Sequence, residues 1–240
     1  MDAEHLGLPP AIKAGLFDLD GVITQTAKVH FQAWKAMFDT YLEERSEKAG
    51  GPFAPFELAD YIEYVDGKPR EDGVRSFLES RLIAISDSLI RELSLRKDRI
   101  FLDLIHRDGV DTYEGSVRYL HAARKAGLKL AVVSSSKNTT EVLRAANLHD
   151  IFDAQVDGVI ALKEHLKGKP APDTYLRAAT MLNTPAHEAA VYEDAIAGVE
   201  AGRAGSFGLV VGIDRNDRAD ELEKHGADIV VKDLSDLMSG

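Results

Sequence analysis

An α/β fold, built on a doubly wound parallel sheet with an inserted all-helical domain, is predicted by three features of the 240-residue sequence. Short apolar runs alternate with amphipathic stretches along most of the chain, which is the pattern of repeated strand and helix. One long segment breaks that alternation and carries helical patterns alone. The polar residues able to carry chemistry fall directly after the apolar runs, where the strand ends of a parallel sheet share one edge.

The predicted strands are residues 16–19, 128–133, 189–192, 207–213 and 229–231, each short, apolar and bounded by turn residues. Between them, Val117, Leu120 and Ala123 form a helical stripe that stops at Gly127, and Val142 with Leu143 belongs to a second. Leu176, Ala179 and Leu182 form a third stripe that begins after Pro170 and Pro172, residues suited to a helix start. From about residue 26 to 111, Trp34, Met37, Phe38 and Tyr41, then Val74, Phe77, Leu78 and Leu82, recur at helical spacing with no strand pattern. The expected organisation is therefore a core domain of residues 1–26 and 111–240 and a helical cap domain of residues 27–110. The chain should cross twice between two bodies, with a cleft at the crossing. The Gly- and Pro-containing stretch at residues 49–55 reads as a loop within the insertion.

Composition narrows the function. The chain is 45% hydrophobic and 29% charged with a formal net charge of -11. That balance argues against nucleic acid or an anionic membrane as partner, because either needs a basic face to displace counterions. There is no Cys, so disulfides, thiolate metal sites and thiol nucleophiles are excluded and nothing points to an oxidising compartment. The first ten residues lack a basic segment followed by an apolar one, and no run reaches the 18 or so apolar residues of a membrane span. A cytoplasmic protein without export signal or anchor is the expectation.

The stretch Phe17-Asp18-Leu19-Asp20-Gly21-Val22-Ile23-Thr24 sets two carboxylates one residue apart at the end of an apolar run. One carboxylate can attack phosphorus and the other can hold a proton for the departing oxygen. Two such charges about 4 Å apart repel by roughly 4 kcal/mol at an effective dielectric near 20, so the pair calls for a cation or a shared proton. Ser134, Ser135 and Ser136 follow Val132-Val133, Glu193-Asp194 follows Val191-Tyr192, and Lys169 precedes another helix. Four distant segments thereby converge on one sheet edge.

In this order, Asp18-Leu19-Asp20-Gly21, Ser134, Lys169 within Gly168-Lys169-Pro170-Ala171-Pro172-Asp173, and Glu193-Asp194 before Ala195-Ile196-Ala197-Gly198 resemble the motifs of the haloacid dehalogenase superfamily. Within it the chain resembles the β-phosphoglucomutase group with a helical cap, over nearly its whole length. The resemblance implies Asp18 as nucleophile, Asp20 as general acid and base, and Lys169 and Ser134 beside the transferring phosphoryl group. It implies Mg²⁺ held by the Asp18 carboxylate, the Asp20 main-chain carbonyl and Asp194, with Glu193 close by. Asp20 separates the reaction types, since a halide leaves without a proton and dehalogenases do not need a second carboxylate. A phosphonate-cleaving relative needs a Schiff-base lysine, for which Lys97 or Lys68 lacks a matching motif.

A second set of resemblances concerns the substrate: Thr26 and His30 ahead of Trp34, Arg70 in Gly67-Lys68-Pro69-Arg70-Glu71-Asp72, Lys97, and Ser136-Lys137-Asn138. A mutase must hold two phosphates, and Arg70 with Ser136, Lys137 and Asn138 is implied as the cradle of the remote one. Thr26 and His30 resemble the hinge element, and Trp34 and Lys97 the sugar-side contacts. Gln25, Asp98 and Glu114 stand where that group usually carries Asp, Asn and Pro. The expected activity is interconversion of β-glucose 1-phosphate and glucose 6-phosphate, with glucose 1,6-bisphosphate as primer and a small-molecule phosphosugar as the partner of a monomer. A sugar phosphate phosphatase is the alternative, and a phosphosugar-binding regulator without catalysis is the third.

Overall fold

The computed structural model describes residues 3–50, 52, 54–65 and 68–238. Gly51 and Phe53 of the expected loop and Gly67 of the Arg70 motif lie outside the described residues. The chain divides into two compact units, residues 1–25 with 110–240, and residues 26–109.

The first unit holds a six-stranded sheet of β1 (Ala14–Phe17), β2 (Lys129–Val133), β3 (Ala154–Val156), β4 (Ala189–Glu193), β5 (Leu209–Ile213) and β6 (Ile229–Val231). Their order is β3-β2-β1-β4-β5-β6, and every pairing is parallel. From β1 the chain builds outward to one side through β2 and β3, and then to the other through β4, β5 and β6. β1 and β4 thus flank the point where strand order reverses, which is where open sheets of this kind bind ligands.

Side-chain alternation explains the layering. Ala14, Leu16, Ala131, Val133, Ala189 and Val191 join one buried cluster with Tyr175, Ala178, Ala179 and Leu182. Of the expected stripe Leu176, Ala179 and Leu182, the last two are buried, but at its start Tyr175 is fully buried in place of Leu176, which is 38% exposed. The intervening sheet residues Phe17 and Tyr192 are register partners whose rings stack 4.2 Å apart. β3 carries only three residues with the half-buried Gln155 at its centre, too little apolar sequence to register as a strand.

The second unit is built from helices, and no strand occurs among its described residues. In order these are α1 (Thr26–Ala49), α2 (Leu58–Asp60) running into a π-turn at Tyr61–Val65, α3 (Arg70–Ser80) and α4 (Asp87–Asp108). Trp34, Met37 and Phe38 on α1 meet Phe56, Val74, Phe77, Ile90 and Leu93 in an apolar cluster. Ser86 caps α4 by accepting from the Leu89 N–H at 3.2 Å, which fixes where that helix begins. After α4 the chain returns to the first unit through α5 (Glu114–Lys125), and the remaining helices there include α8 (Asp173–Met181) and α9 (Ile196–Ala204), with α6 (Thr139–Ala145) and α7 (Gly158–Lys163) between α5 and α8.

Candidate active site

Asp18 is the residue after β1, and its N–H donates to the Tyr192 carbonyl at 3.0 Å, continuing the ladder by one bond. Its carboxylate is ion-paired with Lys169, whose Nζ also lies 2.5 Å from Oε1 of Glu193. The Tyr175 hydroxyl donates to that same Glu193 oxygen at 2.8 Å, and the Ala195 N–H donates to the other at 3.2 Å. Lys169 lies over the Tyr175 ring at 5.1 Å. An ammonium is thus held between two carboxylates and an aromatic face, in a nearly dry setting where Glu193 is 1% exposed. Such a group needs this matching, since an unpaired buried charge is costly.

Two glycines permit the arrangement. A Cβ on Gly198 would come 1.8 Å from Glu193 Oε1, and one on Gly21 would come 1.9 Å from Asp194 Oδ2. Gly21 also has φ of +86°, a backbone state that side chains other than glycine enter at a cost.

Asp18, Glu193 and Asp194 each place a carboxylate oxygen within 4.8 Å of the others. Unit charges at that spacing repel by about 3 kcal/mol per pair at an effective dielectric near 20. Burial pushes the Asp18 carboxyl well above the usual carboxylate range; the Lys169 ammonium pulls it down, and Glu193, Asp194 and Asp20 push it up again. Burial works against the Lys169 ammonium too, but Asp18 and Glu193 outweigh it and raise its pKa. Burial and the neighbouring Glu193 raise the Tyr175 hydroxyl well above its ordinary value, so it remains a donor. Three carboxylates, two of them paired with one ammonium and all offering only oxygen ligands, fit a hard divalent cation.

Ser134 directly follows β2 and is 3% exposed. Its hydroxyl accepts from the Ser136 N–H at 3.1 Å, and the Ser136 hydroxyl accepts from the Asn138 N–H at 3.1 Å. These local bonds shape a tight loop before α6. A Cβ on Gly158 would sit 2.6 Å from the Ser135 carbonyl, so α7 begins hard against the same loop. Lys137 is exposed and Asn138 half-buried.

In the helical unit, Lys97 is 3% exposed. Its Nζ lies 2.8 Å from His30 Nδ1, 5.2 Å from the centre of the Trp34 ring and 4.6 Å from that of Phe101. The His30 ring stacks on Phe101 at 4.3 Å. Trp34 is a core residue, 4% exposed and stacked on Phe38. Arg70 forms a 2.6 Å ion pair with Asp98, and Thr26 is fully buried at the first position of α1.

Sequence reasoning passed over Tyr175 and Arg215. Tyr175 carried a signal, since it lies six residues after Lys169 and one turn into the next helix. Arg215 carried none, standing in a polar stretch without periodicity.

The chain belongs to the haloacid dehalogenase-like hydrolase family, whose model matches residues 12–205. It is 52% identical to the β-phosphoglucomutase of Mycobacterium tuberculosis (strain CDC 1551 / Oshkosh) over 97% of this chain and 94% of that protein. It is 35% identical to the β-phosphoglucomutase of Bacillus subtilis (strain 168) over 94% and 92% of the two chains. Among solved structures it resembles β-phosphoglucomutase from Clostridium difficile, with a TM-score of 0.77, 26% identity and coverage of 94% of this chain and 93% of that one.

Proposed function

We propose that the protein interconverts β-glucose 1-phosphate and glucose 6-phosphate by passing a phosphoryl group through Asp18, with glucose 1,6-bisphosphate as the exchanging intermediate. The observation that carries this reading is the buried Asp18 carboxylate ion-paired with Lys169 at the point of strand-order reversal, beside Glu193 and Asp194. The relatives named β-phosphoglucomutase support the choice of sugar.

In this mechanism an Asp18 oxygen attacks phosphorus, the bond from phosphorus to the sugar oxygen breaks, and Asp20 gives that oxygen its proton. In the second half Asp20 takes the proton from the other sugar hydroxyl, whose oxygen attacks the phosphorus on Asp18 and frees the carboxylate. Lys169 and the Ser134 hydroxyl supply positive charge and a donor to the transferring oxygens. The residues that would hold Mg²⁺ are Asp18 and Asp194 through their carboxylates and Asp20 through its main-chain carbonyl, with Glu193 nearby. When bound, that ion neutralises the charge of phosphate and nucleophile, which lets two anions meet. Arg70 and the Ser136-Lys137-Asn138 loop are the proposed contacts for the second phosphate, with Thr26 and His30 as the hinge element and Trp34 and Lys97 as the sugar-side contacts.

Hydrolysis of a sugar phosphate is the second reading, and the Arg70–Asp98 ion pair favours it, because a guanidinium already matched by a carboxylate is a weaker anchor for a remote phosphate. The test is to incubate the protein and Mg²⁺ with β-glucose 1-phosphate, with and without a trace of glucose 1,6-bisphosphate, and to follow glucose 6-phosphate and free phosphate. Primed formation of glucose 6-phosphate is expected. Phosphate release without isomerisation would replace the first reading with the second.

A further inference from the structure

Arg215 stands two residues beyond β5 and joins three separate segments of the α/β unit. Its Nε donates to the Gly21 carbonyl at 2.8 Å, and its Nη1 donates to the Lys232 carbonyl at 2.8 Å and lies 3.8 Å from the Asp233 carboxylate. Its Cζ sits 3.5 Å over the Tyr113 ring. The side chain is 15% exposed.

The Gly21 carbonyl is one end of the turn that presents Asp20. Four other carbonyls there are met by main-chain N–H groups or by a short hydroxyl. Leu19 accepts from the Ile23 and Thr24 N–H groups, Thr24 accepts from Gly21, and Ile23 accepts from Tyr113. Val22 accepts from the Ser116 hydroxyl at 2.6 Å. The Gly21 carbonyl instead receives a charged, planar donor from 194 residues away. A fixed fork can hold two carbonyls and stack on a ring at once, whereas a lysine is a single point of charge on a flexible stem. Arg215 Nη2 is buried without a hydrogen-bond partner among the described residues.

We infer that Arg215 is a positioning residue for Asp20: by fixing the Gly21 carbonyl it sets the Gly21–Val22 peptide plane, one peptide beyond Asp20, in the turn whose Gly21 N–H is held by the Thr24 carbonyl, and so the aim of the carboxyl that delivers and recovers the proton. This rests on the reading of Asp20 as general acid and base. Misplacement by about 1 Å can cost about a hundredfold in such a site.

The experiment compares two leaving groups. In the first half-reaction, release of p-nitrophenolate from p-nitrophenyl phosphate needs little proton donation, whereas release of a sugar oxygen needs a proton. The single-turnover rate of leaving-group release, which precedes the deprotonation of the acceptor by Asp20, is measured for both substrate types in wild type, D20N, R215Q and R215K, together with thermal unfolding. D20N is expected to lose far more on the sugar phosphate than on the aryl phosphate, since general acid catalysis is worth about 10²–10⁴-fold. R215Q is expected to show the same selectivity at smaller size, about 10–100-fold on the sugar phosphate and within about threefold on the aryl one, with R215K between it and wild type. Equal losses on both substrates in R215Q would make Arg215 a general brace and overturn the inference. If R215Q does not fold, R215K carries the decision: selective loss on the sugar phosphate supports positioning, and wild-type or evenly reduced release overturns it. A D20N variant without leaving-group selectivity would instead refute the acid and base reading of Asp20, and this inference with it.

Discussion

The Tyr175 hydroxyl and the Lys169 ammonium meet on one oxygen of Glu193, at 2.8 Å and 2.5 Å. That oxygen belongs to a carboxylate 1% exposed, so the two donors hold in place a charge that water does not reach. Removing the hydroxyl alone leaves the carboxylate one donor short, at a cost of about 1–3 kcal/mol. Tyr175→Phe is expected to unfold at a temperature lower by about 2–4 °C per kcal/mol lost and to need more Mg²⁺ for half-maximal turnover. Thermal unfolding and a Mg²⁺ titration of the rate check both; an unchanged titration would separate Tyr175 from the site.

Gly198→Ala distinguishes packing from propensity. In an exposed helix interior this change stabilises by about 1 kcal/mol, but here the new Cβ would fall 1.8 Å from Glu193 Oε1. The expected result is lower stability and loss of most turnover. A gain in melting temperature with full activity would show that Glu193 can move aside freely.

Divalent metal should stabilise the protein through the acidic cluster of Asp18, Glu193 and Asp194. A ligand at a hundred times its dissociation constant adds about 2.7 kcal/mol, which for a chain of this size is about 5–10 °C in melting temperature. Adding Mg²⁺ to chelator-treated protein is expected to give a rise of that order, lost in Asp194→Asn. A rise of the same size in that variant would place the ion elsewhere.

Arg70→Ala is expected to lower primed mutase turnover by about a hundredfold or more, as the loss of a charge-assisted phosphate contact of about 3 kcal/mol would, while hydrolysis of a small aryl phosphate falls by far less. Asp98→Asn frees the guanidinium from its 2.6 Å partner and should lower the KM for the bisphosphate. Steady-state kinetics of both variants decide the matter; equal losses for the two substrates in Arg70→Ala would remove Arg70 from the remote-phosphate contacts.

What the sequence revealed and what it hid follow from the same physics. Asp18, Ser134 and Glu193 were readable because each ends an apolar run, and a parallel sheet brings such ends to one edge. The helical insertion was readable because Trp34, Met37 and Phe38 keep a helical period that a strand cannot use. β3 was not, since Ala154–Val156 is three residues long with a polar centre. Lys97 reads in sequence as a sugar-side contact, and nothing local marks it as buried: its ammonium lies among Phe101 of its own helix and Trp34 and His30 of another. Arg215 depends on a contact spanning 194 residues, which no local pattern encodes.

The central claim is that the phosphoryl group rests on Asp18 in transit. The direct measurement is to quench the enzyme in acid during turnover with radiolabelled glucose 1,6-bisphosphate, reduce the acyl phosphate with borohydride, and locate the modified residue by peptide mass. The expected result is modification at Asp18 alone, absent from Asp18→Asn, which is also inactive. Modification of another residue, or undiminished turnover by Asp18→Asn, would contradict it.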